Sequence, residues 1–259
     1  MNKKRFILKT AFWSAVSAAM YFPAAEMTTL YLYYRKDPDI EAYVQNNLEK
    51  NIEEQEEKIG ITYPTERPKI EYLIPEEYPS FGLAGLYGLY HNGKDTIYLP
   101  SGVLIKPEPD FSDFITKIAT FNHTVDVKRT LDHELAHFYC DKMKEKALGK
   151  NHHAFQKYFS FPEEIIADQL INEGIAKYFE NKMNGEDKKK FSFEEWPSEI
   201  DQFSGRVLYQ GGYAIVKPII DRHKEKGIQF LLFNPPTPTE LFTPQEYQER
   251  ILIDIAKLK

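Results

Sequence analysis

The chain predicts an α+β fold, and three observations lead there. Alternating, proline- and glycine-bounded segments lie before residue 100, and helical periodicity dominates after residue 125. No internal repeat is present. A length of 259 residues, with 42% hydrophobic and 14% aromatic residues, is enough for a packed core and argues against disorder. The organisation expected is a leader over residues 1–36 and one globular domain over 37–259. Within that domain, 37–149 is the strand-containing part and 150–259 the helical part.

Lys3-Lys4-Arg5 precedes a mostly apolar stretch, and Thr10 to Ala25 is an uncharged run of 16 residues. That run is in the range of a signal peptide and short for a span of about 20. Basic residues ahead of it orient the remainder outward. The expectation is an extracytoplasmic protein, either secreted after cleavage or associated with the membrane through this N-terminal anchor. An N-terminal core helix of a cytoplasmic protein is the alternative. The single cysteine, Cys140, rules out an intrachain disulfide and leaves the redox compartment open.

Asp37 to Lys58 reads as an amphipathic helix with Ile40, Tyr43, Val44, Leu48, Ile52 and Ile59 inward. Pro68 to Pro75 alternates and is bounded by prolines, which predicts a strand. Asn92-Gly93 is a turn signal, and Asp95 to Leu99 reads as the return strand of a hairpin. Val125 to Leu148 holds no proline or glycine, and Gly149 follows as a C-cap. Leu131, Leu135, Phe138 and Met143 give this helix a core stripe. A second helix begins near Ser160 with a Ser160/Glu163 capping box and runs to about Met183. A third spans Gly211 to Lys226, Asn234 to Pro238 is a rigid linker, and Thr243 opens a final helix. A net charge of −6 gives no sign of nucleic-acid binding.

The chemistry concentrates in His133-Glu134-Leu135-Ala136-His137. On a helix, two histidines at i and i+4 project from one face and can reach a single metal ion. Glu134, offset by about 60° from His137 around that helix, is placed to handle the proton of a water at the metal. This H-E-x-x-H segment resembles the signature of the zinc metallopeptidases.

A catalytic zinc takes three protein ligands and keeps one position open. The three-histidine pattern H-E-x-x-H-x-x-G-x-x-H is excluded, because its last glycine and histidine positions are Cys140 and Met143 here. No cysteine lies upstream to act as in peptide deformylases, and Cys140 reads as a small buried residue beneath the site. Asn172-Glu173-Gly174-Ile175-Ala176-Lys177-Tyr178 resembles the N-E-G-x-A-x-Y segment of the gluzincin metallopeptidases. This resemblance makes Glu173 the third ligand of one Zn²⁺ ion. A carboxylate on a mostly apolar helix also calls for a cation. His152, His153, Glu164 and Asp168 are the rival ligands. Gly174 and Ala176 are small enough to let this helix approach the motif helix closely. The thermolysin branch carries an aspartate four residues after its glutamate to support a ligand histidine. Lys177 stands there, so Asp168, Asp141 or no residue does that work.

The resemblance implies a zincin-like fold: a small mixed sheet whose edge strand packs on the motif helix, followed by a mainly helical subdomain. It implies hydrolysis of peptide bonds in a polypeptide substrate, with endopeptidase action preferred because no exopeptidase segment is present. Glu134 becomes the general base, and Thr96, Ile97, Tyr98 and Leu99 the edge strand that binds substrate. Tyr209-Gln210-Gly211-Gly212 resembles the Y-x-x-G segment of gluzincin aminopeptidases, which makes Tyr209 the oxyanion donor. Tyr213 and His223 are its rivals. Two other functions stay open: a non-catalytic anchored interaction protein with a vestigial metal site, and a zinc hydrolase of non-protein substrates.

Overall fold

The structure, a computed structural model, describes residues 33–36, 38–73, 88–100, 102–105, 123–149, 161–186 and 191–257. The apolar run before residue 26, His152, His153 and Ser160 lie outside these residues. Among the described residues, no helix is long and apolar enough to cross a membrane.

Strands β1 (Tyr33–Lys36), β2 (Lys69–Leu73), β3 (Leu89–His91), β4 (Thr96–Pro100) and β5 (Gly102–Ile105) precede or interleave with the hairpin region. Helix α1 (Pro38–Gln55) lies between the first two. Then come α2 (His123–Leu148), α3 (Pro162–Asn184), α4 (Gly212–Phe233) and α5 (Pro244–Lys257). The architecture is α+β and mostly helical, as the periodicity predicts. β2, β4 and β3 form a three-stranded mixed sheet in that order, and β1 pairs with β5 in an antiparallel ribbon. β2 runs parallel to β4 with Ile70 beside Ile97, and β3 runs antiparallel with Tyr90 beside Ile97.

That order corrects one expectation. Thr96, Ile97, Tyr98 and Leu99 lie on the middle strand and are all buried, the first three paired on both sides and Leu99 with β2, so this strand is not the edge expected for a substrate. Alternation identifies a strand but not its neighbours, and the parallel pairing with β2 closes the side that the hairpin leaves open. Among the described residues, β2 and β3 are the edges of this sheet, and β3 is the edge that lies against α2. The turn also differs in detail. Residues 92–94 form a short 3-10 turn, and Asp95, with φ of 50°, takes the left-handed position.

Helix α2 is the centre of the core. Leu131, Leu135, Ala136, Phe138 and Tyr139 are buried along it, and it packs on α1, α3 and the sheet. Burial around so much of its circumference holds the motif helix as a rigid rod. A leucine at such a position contributes about 2–5 kcal/mol relative to alanine. A polar bridge fixes its rotation against α1. Gln55 donates to Asp132 Oδ1 at 3.1 Å and to the Asp132 carbonyl at 3.3 Å. Tyr63 donates to Gln55 at 2.5 Å and to the Leu135 carbonyl at 3.1 Å. Asp132 also takes Lys128 at 2.8 Å, so its buried charge is paired. With Asp132 committed to α1, the adjacent histidine turns toward α3.

Helix α3 opens with Pro162, and the cap sits one residue later than expected. The Phe161 amide donates to Glu164 Oε2 at 3.2 Å, so Glu164 rather than Glu163 closes the box. Gly149 ends α2 in the left-handed conformation as anticipated. The third helix runs further than Lys226, to Phe233, with a backbone break at Lys224.

Candidate metal centre

His133 and His137 project from the same side of α2, one turn apart, and meet Glu173 from α3. The two Nε2 atoms are 3.1 Å apart. Glu173 Oε2 lies 3.2 Å from His133 Nε2 and 3.5 Å from His137 Nε2. A tetrahedral ion with bonds near 2.0–2.2 Å requires ligand atoms about 3.3–3.5 Å from one another. The three separations, 3.1–3.5 Å, come within about 0.2 Å of the face of such a tetrahedron. Among the described residues, these are the His, Cys, Asp and Glu side chains whose ligand atoms converge in this way.

The electrostatics agree with that geometry. Burial alone would lower the His133 pKa, but the bond to Glu173, the close Glu180 carboxylate and the charge of Glu134 outweigh it and push it up to about 10. Burial likewise opposes ionisation of Glu173, yet His137 and His133 hold it well below the usual carboxylate range. Carboxylates thus surround a pair of imidazoles in a mostly water-excluded place. Such a site stabilises positive charge between them. Two imidazole nitrogens and one carboxylate oxygen suit a borderline divalent cation.

Of the rival ligands, Asp168 takes Lys144 at 2.6 Å and Glu164 caps its own helix. Cys140 is fully buried, and that burial pushes its thiol up to about 12, as expected of an inert core residue.

One residue was missed in the sequence. Glu180 Oε2 lies 3.6 Å from His133 Nδ1, the ring nitrogen turned away from the triad. That is an ion-pair separation, slightly beyond a formed hydrogen bond. Neither Asp168 nor Asp141 is in this place, since Asp141 takes the Tyr90 phenol at 2.6 Å. Lys177, which stands where the thermolysin branch has an aspartate, bonds Glu180 at 2.6 Å. Glu180 follows Glu173 by two helical turns on one face of α3, so a scan at i+7 would have found it.

Glu134 is buried beside the triad, and its Oε2 accepts the Tyr90 backbone amide of β3 at 2.7 Å. Gly88 makes this approach feasible: a Cβ there would strike Thr130 Cγ2 and come within 3.2 Å of Glu134.

Tyr209 sits on a π-helical turn, Val207–Gly211, just before α4. Its ring centroid lies 5.6 Å from that of His133, and the residue stays 40% exposed, open to a ligand. Burial of the phenol, with Glu173 and Glu134 beside it, raises its pKa and keeps it a donor. Tyr213 instead packs on Tyr178, at 6.4 Å between centroids. The Tyr209 turn is held by two close approaches. Trp196 fills the space over Gly211, and Gly212 meets Gly174 with almost no gap. Gly174 therefore brings α3 against the start of α4, not against the motif helix as its small size first suggested. Sequence could show that Gly174 allows contact but not with which partner.

Comparison of the chain with protein-family models, with curated proteins and with solved structures returned no match.

Proposed function

We propose that the chain is a zinc-dependent peptidase of gluzincin type, cleaving within polypeptides. The observation that carries this reading is the ligand triangle of His133, His137 and Glu173, with Glu134 next to it on the same helix. A structural metal site needs ligands and no base, so a buried carboxylate adjoining the ligands favours hydrolysis. Zn²⁺ bound there would supply Lewis acidity, polarising a carbonyl oxygen and acidifying a water in its open position.

The side chains divide the remaining work. His133 and His137 present Nε2 lone pairs, which places their protons on Nδ1; Glu180 faces that proton on His133. Glu134 takes the proton of the attacking water and returns it to the leaving amine. The Tyr209 phenol donates to the oxyanion that develops at the scissile carbonyl. The role first given to Thr96–Leu99 passes to the β3 segment beside Glu134, where the outward Tyr90 amide is held by Glu134 and does not itself pair with substrate. The Tyr90 amide points to Glu134 and so away from β4, which puts the outer edge of β3 on the side of the base. The charged and apolar N-terminal run favours an extracytoplasmic location, secreted or anchored.

The test is zinc content and casein cleavage of the wild type and three variants. Glu134→Gln should keep zinc and lose activity, and Glu173→Ala should lose both. Tyr209→Phe should keep zinc with kcat about 10²–10³ lower, the usual cost of one oxyanion donor. An active Glu134→Gln protein refutes the mechanism. Stoichiometric zinc in Glu173→Ala refutes the ligand set.

A further inference from the structure

We propose that Tyr90 is a positioning residue for Glu134, its backbone amide holding one oxygen of the carboxylate while its phenol anchors that amide to the same helix. The proposal rests on reading Glu134 as the general base. The contacts form a strut along one stripe of α2. The amide donates to Glu134 Oε2 at 2.7 Å. The ring stands edge-on to Phe138, with centroids 5.9 Å apart. The phenol donates to Asp141 Oδ2 at 2.6 Å, with Asp95 Oδ1 at 3.1 Å. Glu134, Phe138 and Asp141 are at i, i+4 and i+7, so a single strand residue spans two turns of the motif helix.

The surroundings stiffen the strut at both ends. On one side, Gly88 lets the chain pass close over Thr130 and Glu134. On the other, Asp95 takes Lys142 at 2.7 Å, and Lys142 also bonds Glu145 at 2.6 Å, tying the hairpin turn to α2. A half-buried phenol given only to packing would need a single partner. This one has two carboxylates, and its own amide is spent on a third. The consequence for Glu134 is specific. With Oε2 committed to a charge-assisted hydrogen bond, the carboxylate keeps one rotamer, and Oε1 is the oxygen presented for proton transfer.

The experiment combines amide exchange at residue 90, read by NMR, with zinc content and steady-state kinetics on a defined peptide. In Glu134→Ala and in Tyr90→Phe, exchange at residue 90 should quicken about tenfold or more, with the amides of α2 unchanged. Zinc-loaded Tyr90→Phe should keep its zinc and its KM while kcat falls about tenfold to hundredfold. Asp141→Asn weakens the same anchor without altering β3, and should move exchange and kcat in the same direction by less. Wild-type exchange at residue 90 in Glu134→Ala overturns the proposal. So does a Tyr90→Phe enzyme whose loss lies in KM alone, or which loses nothing. A wild type that binds zinc and cleaves no peptide refutes the functional reading instead, and the exchange comparison then decides the Tyr90–Glu134 contact by itself.

Discussion

Replacing Gly174 by alanine should destabilise the protein, although the same change in an open helix would stabilise it. Alanine is favoured over glycine by about 1 kcal/mol in a helix interior. Here the added Cβ would stand 2.5 Å from the Gly212 carbonyl carbon, 2.6 Å from its oxygen and 2.9 Å from its Cα. All three are backbone atoms, so no side chain can swing aside. Restoring ordinary contact needs about 1 Å of separation between α3 and the start of α4, and overpacking on this scale costs about 1–3 kcal/mol. The reverse contact is as tight, because a Cβ on Gly212 would meet the Leu170 carbonyl oxygen. After the propensity gain, a net loss of up to about 2 kcal/mol remains. For a chain of this size that lowers Tm by up to about 8 °C. Thermal unfolding of metal-free protein, followed by circular dichroism, measures it. Because Gly174 adjoins Glu173 and Gly212 adjoins the Tyr209 turn, metal affinity should fall in the same variant. A raised Tm with unchanged affinity would refute the glycine contact as the device that holds these segments together.

Other outcomes follow from the charges. Glu180→Gln should weaken metal binding about 10–100-fold in chelator competition while leaving one site per chain, and an unchanged Kd would remove Glu180 from the support of His133. The metal-free protein should show a stability maximum set by this cluster. His133 is raised from 6.5 to about 10, so its contribution is complete below pH 6.5 and lost as pH rises through about 10. Glu173 and Glu180 are lowered from 4.5, so theirs is present above that pH and lost as pH falls. The plateau therefore lies between about pH 4.5 and 6.5, and Tm against pH should show a smaller alkaline decline in Glu180→Gln than in wild type. Metal loading near pH 7.5 should release about one proton, from His133, in calorimetry across buffers of different ionisation enthalpy.

What sequence revealed and what it hid separate along physical lines. The convergence of His133 and His137 was legible from residue type and helical spacing, and Glu173 joined them through the resemblance of residues 172–178 to the N-E-G-x-A-x-Y segment. Ile40, Val44, Ile52, Leu131 and Leu135 were legible as core because periodicity alone places them, and all are buried. Sheet order was not legible. The alternation of residues 69–73 and 96–100 is the same whether a strand is at an edge or in the middle, so β4 was expected at an edge when it lies between β2 and β3. Partners across helices were hidden for a related reason. Gly174 signals that something approaches closely, yet only the fold says that it is Gly212. Glu180 was passed over because the i+4 position was inspected and the support comes from i+7.

The pairing of α2 with α3 explains how a two-helix site keeps its register. Read from the C-terminal end of α2, Lys144 meets Asp168, His137 meets Glu173, His133 meets Glu173 and Glu180, and Arg129 meets Glu186. Bases therefore occur along one helix and acids along the other and just past its end, in antiparallel order. The Arg129–Glu186 pair is partly exposed and is worth at most about 1 kcal/mol, while Lys144 is buried and needs Asp168 as its partner. Their value is in alignment. Sliding α3 by one turn would set Asp168 or Glu180 against the wrong base at every rung. The buried stripes of Leu131 and Leu135, with Ile171 and Ile175, provide the adhesion that the charges orient. The inner rungs, His133 and His137 with Glu173, are then brought within 3.1–3.5 Å of one another by packing done elsewhere. Ligands prearranged in this way would lose little freedom on binding an ion, so the register of the two helices would add to the affinity that the three side chains supply.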